Sequence, residues 1–149
     1  MSDLRKKIVR LFESAGSNGK LDSKRQKVVD DFLLFCQEKL SIAEMPELTL
    51  VPKKEENMSS ASYNPATNEV MVLAAHRALV DIIRSIAHEL VHRQQDEQGR
   101  LSEVAGPGED MRQDIGVDYE NEANAVGGAL VKEFSRFYEG LPKDQLYEL

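Results

Sequence analysis

The most constraining feature of this chain is an apolar segment with helical periodicity that carries two of its three histidines. Residues 78–98 repeat apolar side chains at helical spacing, and Gly99 ends the pattern. Within this segment, His88 and His92 stand four residues apart. Their positions therefore differ by about 40° around a helix and about 6 Å along it. Two imidazoles placed in this way can converge on one ion.

Glu89 directly follows the first histidine of the pattern His88-Glu89-Leu90-Val91-His92. Zn²⁺ accepts histidine nitrogens in tetrahedral geometry, and a nearby carboxylate can take a proton from zinc-bound water, whose pKa falls toward about 7. With three histidines in 149 residues, chance would produce this spacing in about one such chain in a hundred or fewer. The pattern predicts a zinc site with His88 and His92 as ligands and Glu89 as general base.

A catalytic zinc site needs a third protein ligand and an open position. Glu120 and Glu122 open a predicted last helix over 118–139, and they lie about 200° apart around it, so only one can face inward. The apolar positions of this helix flank Glu120, whereas Glu122 shares an arc with Glu133 and Arg136. We therefore predict Glu120 as the third ligand and place Glu122 in solvent.

Further residues could support the metal or the reaction. Asn124 lies one turn after Glu120 and could orient a ligand by a hydrogen bond, although a surface amide is an equal alternative. A hydrolytic reaction at such a metal site would also need a group that stabilises developing negative charge. Tyr119, His76 and Tyr63 are candidates, and each is equally consistent with a structural role. His76 stands at a predicted helix start, where a capping or surface role is the ordinary expectation.

The region after the motif helix combines a predicted loop with the last helix. Residues 101–116 are rich in glycine and acids and predict a loop. Within the last helix, Gly127 and Gly128 cost stability relative to alanine. Because Gly127 falls on the inward face, we predict that a neighbouring helix approaches closely there.

The N-terminal part predicts two helices. Apolar residues over 4–12 have helical spacing, and the glycines of 16–19 interrupt them. Asp22 or Ser23 can cap the second helix, which Pro46 is expected to end. The apolar stripe of this second helix includes the single cysteine, which we interpret as core filling: Val28, Val29, Phe32, Leu33, Cys36 and Leu40.

The middle of the chain predicts a small sheet. Leu48 and Leu50 alternate with polar residues in a short strand closed by Pro52. Residues 60–64 and 69–73, joined by a turn, form a predicted hairpin. We expect an α+β domain over 1–149, with a helical part over 1–45, the sheet over 46–75 and metal-binding helices over 76–149.

Composition limits the partners of this domain. The formal net charge of −7 argues against nucleic acid, and the longest basic run, Arg5-Lys6-Lys7, is interpreted as a solvated helix face. A single cysteine allows no internal disulfide, which is typical of a reducing compartment. Residues 1–7 are polar and charged, unlike a secretory signal, and no run is long enough to span a membrane. A cytoplasmic location without membrane partners is expected.

The motif and the block Glu120-Asn121-Glu122-Ala123-Asn124-Ala125 resemble the gluzincin group of zinc metallopeptidases. The similarity is strongest to minimal single-domain members, of the ImmA/IrrE type and the small phage-encoded type, and it covers roughly residues 60–135. It implies a zincin-like fold, with a short antiparallel or mixed sheet packed on the motif helix and a C-terminal helix. It also implies that Glu120 is a zinc ligand. The chain departs from the family pattern at Arg93, where an uncharged residue is usual, and at Asn124, where aspartate is frequent.

Three functional hypotheses follow. The first is a metallopeptidase acting on a peptide or protein, which would dock by strand addition beside an edge strand over 70–73. The second is a catalytically silent zincin-fold binding or structural protein, of a kind that phages encode, in which zinc stabilises the fold. The third is a regulatory protein whose N-terminal helices, residues 1–40, recruit a partner. The sequence specifies neither cleavage specificity nor oligomeric state.

Overall fold

The computed structural model describes residues 20–52, 59–101 and 113–138 of the chain. Within these ranges, three helices and a small three-stranded mixed sheet form an α+β architecture, which confirms the predicted class. The predicted helix over 4–12 lies outside the described residues. In chain order the elements are α1 (Ser23–Leu40), β1 (Glu47–Val51), β2 (Ala61–Asn64), β3 (Glu69–Leu73), α2 (Leu79–Glu97) and α3 (Gln113–Phe137).

Helix α1 is defined by a cap at each end. The Asp22 side chain accepts a hydrogen bond from the Arg25 backbone N–H at 2.8 Å, so one of the two predicted capping residues is confirmed. Ser41 adopts a left-handed conformation with φ 52° and ends the helix before Pro46 is reached. The prediction that Pro46 ends it was therefore wrong. Cys36 is fully buried in the core, as expected, and burial raises the pKa of its thiol.

The sheet has the strand order β1-β3-β2, with β1 parallel to β3 and β2 antiparallel to β3. The predicted hairpin is confirmed, and Asn68 completes its turn with a left-handed φ of 54°. However, β3 is the central strand, so the expectation that residues 70–73 form an edge was wrong. The reason is that β1 pairs with the edge of β3 that β2 leaves open. Because β2 and its connections lie between β1 and β3 in the sequence, local periodicity does not indicate this pairing.

Helix α2 lies at the centre of the molecule, in contact with α1, α3, β2 and β3. Its apolar face includes Ile82, Ile83, Ile86 and Leu90, all essentially inaccessible to solvent. Burial of aliphatic side chains of this size contributes about 1.5–3 kcal/mol each. The two histidines of α2 are therefore carried by the most firmly packed element of the described structure.

Helix α3 begins at Gln113, earlier than predicted, so the last residues of the predicted 101–116 loop are helical. Asp114 and Gly116, which contributed to the loop prediction, are tolerated in a helix at a cost of about 1 kcal/mol or less each. Packing on α2 can offset this cost. Among the described residues, no helix is both long and apolar enough to cross a membrane.

Candidate metal centre

Helix α2 directs two histidine rings toward the same point. His88 and His92 are one turn apart, and their Nε2 atoms lie 3.2 Å from each other. The rings are nearly perpendicular, at 81°, with centroids 4.8 Å apart. Two ligand atoms about 2.0–2.1 Å from a tetrahedral zinc ion lie about 3.3 Å from each other. The spacing of the two nitrogens therefore fits two zinc ligands.

Helix α3 adds a carboxylate to this pair. Glu120 Oε2 lies 3.0 Å from His88 Nε2, and Oε1 lies 2.7 Å from His92 Nε2. In the described part of the chain, His88, His92 and Glu120 form a group whose ligand atoms all lie within 4.8 Å of one another. Two imidazoles and one carboxylate are a donor set that Zn²⁺ binds at catalytic sites, so the residues present fit the ion.

The three ligand candidates differ in their access to solvent. The side chain of His92 is 7% exposed, that of His88 is 20% exposed and that of Glu120 is 45% exposed. The cluster is thus packed against the protein on the His92 side and open on the Glu120 side. An open side is what a catalytic metal site needs, because water and a substrate must reach the ion.

Glu89 is buried beside this cluster. It is 6% exposed, and it forms no hydrogen bond or ion pair with another residue in the described ranges. Desolvation raises the pKa of Glu89 to about 8, and the charge of Glu120 acts in the same direction. A buried carboxylate without a partner destabilises a fold. Such residues are frequent at functional sites, where the raised pKa suits proton transfer near neutral pH.

Close approach of α2 and α3 is required to bring Glu120 to the histidines, and Gly127 makes it possible. A Cβ atom at Gly127 would lie 3.1 Å from the backbone nitrogen of His88, which is tighter than ordinary contact. At Gly128, by contrast, a Cβ atom would meet nothing within 4 Å. The predicted close packing at Gly127 is confirmed, and it occurs at the first histidine of the motif.

Glu122 is only partly in solvent, with a side chain that is 31% exposed, so the prediction missed its partners. Its two carboxylate oxygens accept hydrogen bonds from Arg100 at 2.8 and 2.7 Å, and Oε1 also accepts one from Gln95 Nε2 at 3.2 Å. The chain turns at Gly99, where φ is 75°, and brings Arg100 back toward α3. A helical-wheel projection of α3 alone contains no information about this neighbouring arginine.

Gln95 is a site residue that the sequence reasoning missed. It is fully buried, and its Oε1 lies 2.8 Å from His92 Nδ1. Its position three residues after His92, on the same face of the helix, was the available signal. Asn124, the residue predicted to orient a ligand, is instead exposed and has no side-chain hydrogen bond within the described residues.

The three candidates for oxyanion stabilisation lie outside the ligand cluster. Tyr119 carries the guanidinium of Arg100 over its ring, with the guanidinium carbon 5.2 Å from the centroid. The Tyr63 hydroxyl donates to Asp96 at 2.5 Å. His76 is exposed and has a left-handed φ of 57° in the turn before α2.

Arg93, which departs from the usual extended motif, points away from the histidines. Its Nε donates to the Glu44 carbonyl at 2.9 Å, and its two terminal nitrogens reach Tyr63 Oη at 3.2 Å and Glu97 at 3.0 Å. The side chain therefore connects α2 to β2 and to the segment after α1. A charge at this position is compatible with the site because Glu44, Tyr63, Asp96 and Glu97 engage the guanidinium, and none of them is a metal-ligand candidate.

The site thus combines three converging metal-ligand candidates with a buried carboxylate on the same helix as the two histidines. Comparisons with protein-family models, with curated proteins and with solved structures found no match to the chain.

Proposed function

We propose that this chain is a zinc-dependent metallopeptidase with a zincin-like fold, in which His88, His92 and Glu120 bind Zn²⁺. The observation that carries the proposal is the convergence of two imidazole nitrogens and a carboxylate at 2.7–3.2 Å from one another. A bound Zn²⁺ would polarise a substrate carbonyl and lower the pKa of a water molecule.

Glu89 is the general base in this proposal. It is adjacent to His88 on α2, and no partner among the described residues occupies its carboxylate oxygens. The carboxylate takes the proton of the attacking water, holds it within a largely dry environment and passes it to the nitrogen of the leaving amine. General acid–base catalysis of this kind contributes about 10²–10⁴-fold in rate.

The corrected strand order changes where a substrate would lie. Strand β2, not β3, forms an edge of the described sheet, and it contacts α2. The Leu73 N–H donates to the Ser60 carbonyl at 2.8 Å. Because hydrogen-bonded and non-hydrogen-bonded pairs alternate along an antiparallel ladder, the backbone N–H and C=O groups of Ala61 and Tyr63 point away from β3. An extended peptide could add to the sheet along β2.

Metal content and peptide cleavage together test the proposal. Purified wild-type protein should bind one zinc ion per chain, Glu120→Ala should lose most of it, and Glu133→Ala on the same helix should retain it. With a tryptic digest of unrelated proteins as substrate, mass spectrometry should detect new cleavages. Glu89→Gln should retain zinc while cleavage falls by about 10²-fold or more. Undiminished zinc in Glu120→Ala, or undiminished cleavage by Glu89→Gln, would contradict the assignment.

A catalytically silent zincin-fold protein is the second candidate. It is favoured by the contacts of Tyr119 with Arg100 and of Tyr63 with Asp96, which direct the two tyrosines among the three candidate oxyanion stabilisers to other residues. In that case the wild type would bind zinc without cleaving any peptide. Glu89→Leu would then stabilise the protein, because an apolar side chain would replace a buried carboxylate that has no partner among the described residues, and no activity would be lost.

A further inference from the structure

Both polar atoms of the Gln95 side chain take part in hydrogen bonds. The residue is fully buried. Its Oε1 lies 2.8 Å from His92 Nδ1, while its Nε2 donates to the Tyr119 carbonyl at 3.1 Å and to Glu122 Oε1 at 3.2 Å. A primary amide has two N–H donors, and here both find acceptors on α3.

These contacts fix the orientation of the amide and, through it, the proton of His92. A backbone carbonyl and a carboxylate only accept hydrogen bonds, so the NH₂ of Gln95 must face Tyr119 and Glu122. Its oxygen then faces His92 Nδ1. Because an amide oxygen only accepts, His92 Nδ1 must carry the proton. In the neutral ring this leaves the lone pair on Nε2, the atom that points toward His88 and Glu120.

Glu122 is itself held from the far side. Arg100 donates two hydrogen bonds to its carboxylate, at 2.8 and 2.7 Å. Paired hydrogen bonds between a guanidinium and a carboxylate have a defined geometry, which restricts rotation of the acid. A continuous chain of hydrogen bonds therefore runs from Arg100 through Glu122 and Gln95 to His92.

We propose that Gln95 is the positioning residue for the metal ligand His92, and that the Arg100–Glu122 pair holds Gln95 in the required orientation. The inference rests on the zinc site of the proposed function. An amide suits this position because the side chain must accept from the histidine and donate to a carboxylate at once. A carboxylate at position 95 could not donate, and it would face the negative charge of Glu122.

Zinc affinity tests the hydrogen bonds that run from Arg100 to His92. It can be measured by competition with a chromogenic chelator at pH 7 and fixed ionic strength. Gln95→Met keeps similar volume but removes the hydrogen bonds, and it should weaken zinc binding about 10–100-fold. Gln94→Met is the matched control, since the Gln94 amide donates to the Leu40 carbonyl, away from the cluster. It should leave the affinity unchanged.

Exchanging the amide at position 95 with the carboxylate at position 122 tests whether zinc affinity can be restored. Gln95→Glu alone should weaken zinc binding, because two carboxylates would then oppose each other. The double variant Gln95→Glu/Glu122→Gln should recover part of the loss, but not all of it, because the Tyr119 carbonyl keeps no donor at position 95. Its carboxylate at position 95 accepts from both His92 and the amide at position 122, whose oxygen still accepts from Arg100. Loss of packing alone would predict no such recovery.

Two further readouts separate positioning from folding. Thermal unfolding of each metal-free variant shows whether the fold survives. In the zinc-loaded protein, the His92 Nδ1 proton should be visible in the ¹H NMR spectrum of the wild type and exchange rapidly in Gln95→Met. Equal zinc affinity of Gln95→Met and Gln94→Met would overturn this inference alone. Failure of the wild type to bind zinc would overturn it together with the proposed function.

Discussion

At the scale of single residues, two glutamates of the candidate site have different surroundings. Glu89 is 6% exposed and unpartnered within the described residues, whereas the Glu120 side chain is 45% exposed and lies against both histidines. Burial favours the protonated form of the first, and proximity to ring nitrogens suits the second as a metal ligand. Carboxylates with such different environments can carry out different tasks in one site.

A pair of residues away from the site offers a test at this scale. The Tyr138 hydroxyl donates to Asp31 Oδ2 at 2.7 Å, and this hydrogen bond is the main cause that lowers the pKa of Asp31, with Lys27 adding to it. The pKa of Tyr138 is raised to about 12, chiefly by burial, so the hydroxyl stays protonated at neutral pH.

Tyr138→Phe should therefore lower the free energy of unfolding by about 1 kcal/mol at pH 7. An acid with a lowered folded-state pKa contributes stability above its unfolded pKa, and this contribution is lost as the pH falls through the folded value. The difference between variant and wild type should accordingly shrink below about pH 4. Urea unfolding at pH 7 and pH 3 measures it.

The control for this experiment is Lys27→Met, which removes the exposed partner of the same carboxylate. It should cost only about 0.3–0.5 kcal/mol at pH 7, as is usual for exposed pairs one helical turn apart. An equal loss for Tyr138→Phe at both pH values would show that the hydroxyl acts through packing and not through the charge of Asp31.

At the scale of elements, the site depends on the contact between α2 and α3. His88 and His92 are on one helix and Glu120 is on the other, so the distance between the helices determines whether the ligand atoms meet. Gly127 permits this distance, because its missing side chain leaves room for the backbone at His88. The stability that a glycine costs inside a helix is offset here by close packing.

The two neighbouring glycines of α3 provide a matched comparison. Gly128→Ala places a methyl group in open space and should stabilise the protein by about 0.5–1 kcal/mol. Gly127→Ala has the same gain in helix propensity but presses on the His88 backbone, so it should be less stable than Gly128→Ala and weaken zinc binding. Chemical denaturation and zinc titration test both variants. Tighter zinc binding by Gly127→Ala than by the wild type would refute this account of the helix contact.

At the scale of the whole molecule, a bound metal ion would join two helices that are far apart in sequence. A ligand that binds only the folded state stabilises it by about 2.7 kcal/mol when its free concentration is 100 times Kd. Zinc should therefore raise the Tm of the wild type, and the increase should depend on zinc concentration. Differential scanning calorimetry with and without zinc measures this effect.

Glu120→Ala should lose most of this increase, because it removes the ligand that α3 contributes. Glu133→Ala, which removes an exposed partner of Lys39 on the same helix, should keep it. The same zinc-dependent increase in both variants would mean that the ion binds elsewhere on the protein.

Local periodicity was sufficient to predict helices α1 and α2, the β2–β3 hairpin and the pairing of His88 with His92, because each depends on residues close in sequence. It also favoured Glu120 over Glu122 as the residue facing the histidines. Only the tertiary structure determined that β1 pairs with β3, that Gln95 contacts Tyr119 and Glu122 on α3, and that Arg100 holds Glu122. These contacts join segments distant in sequence, or depend on how two helices meet. The periodicity of a single element contains no information about the side chains that another element brings to it.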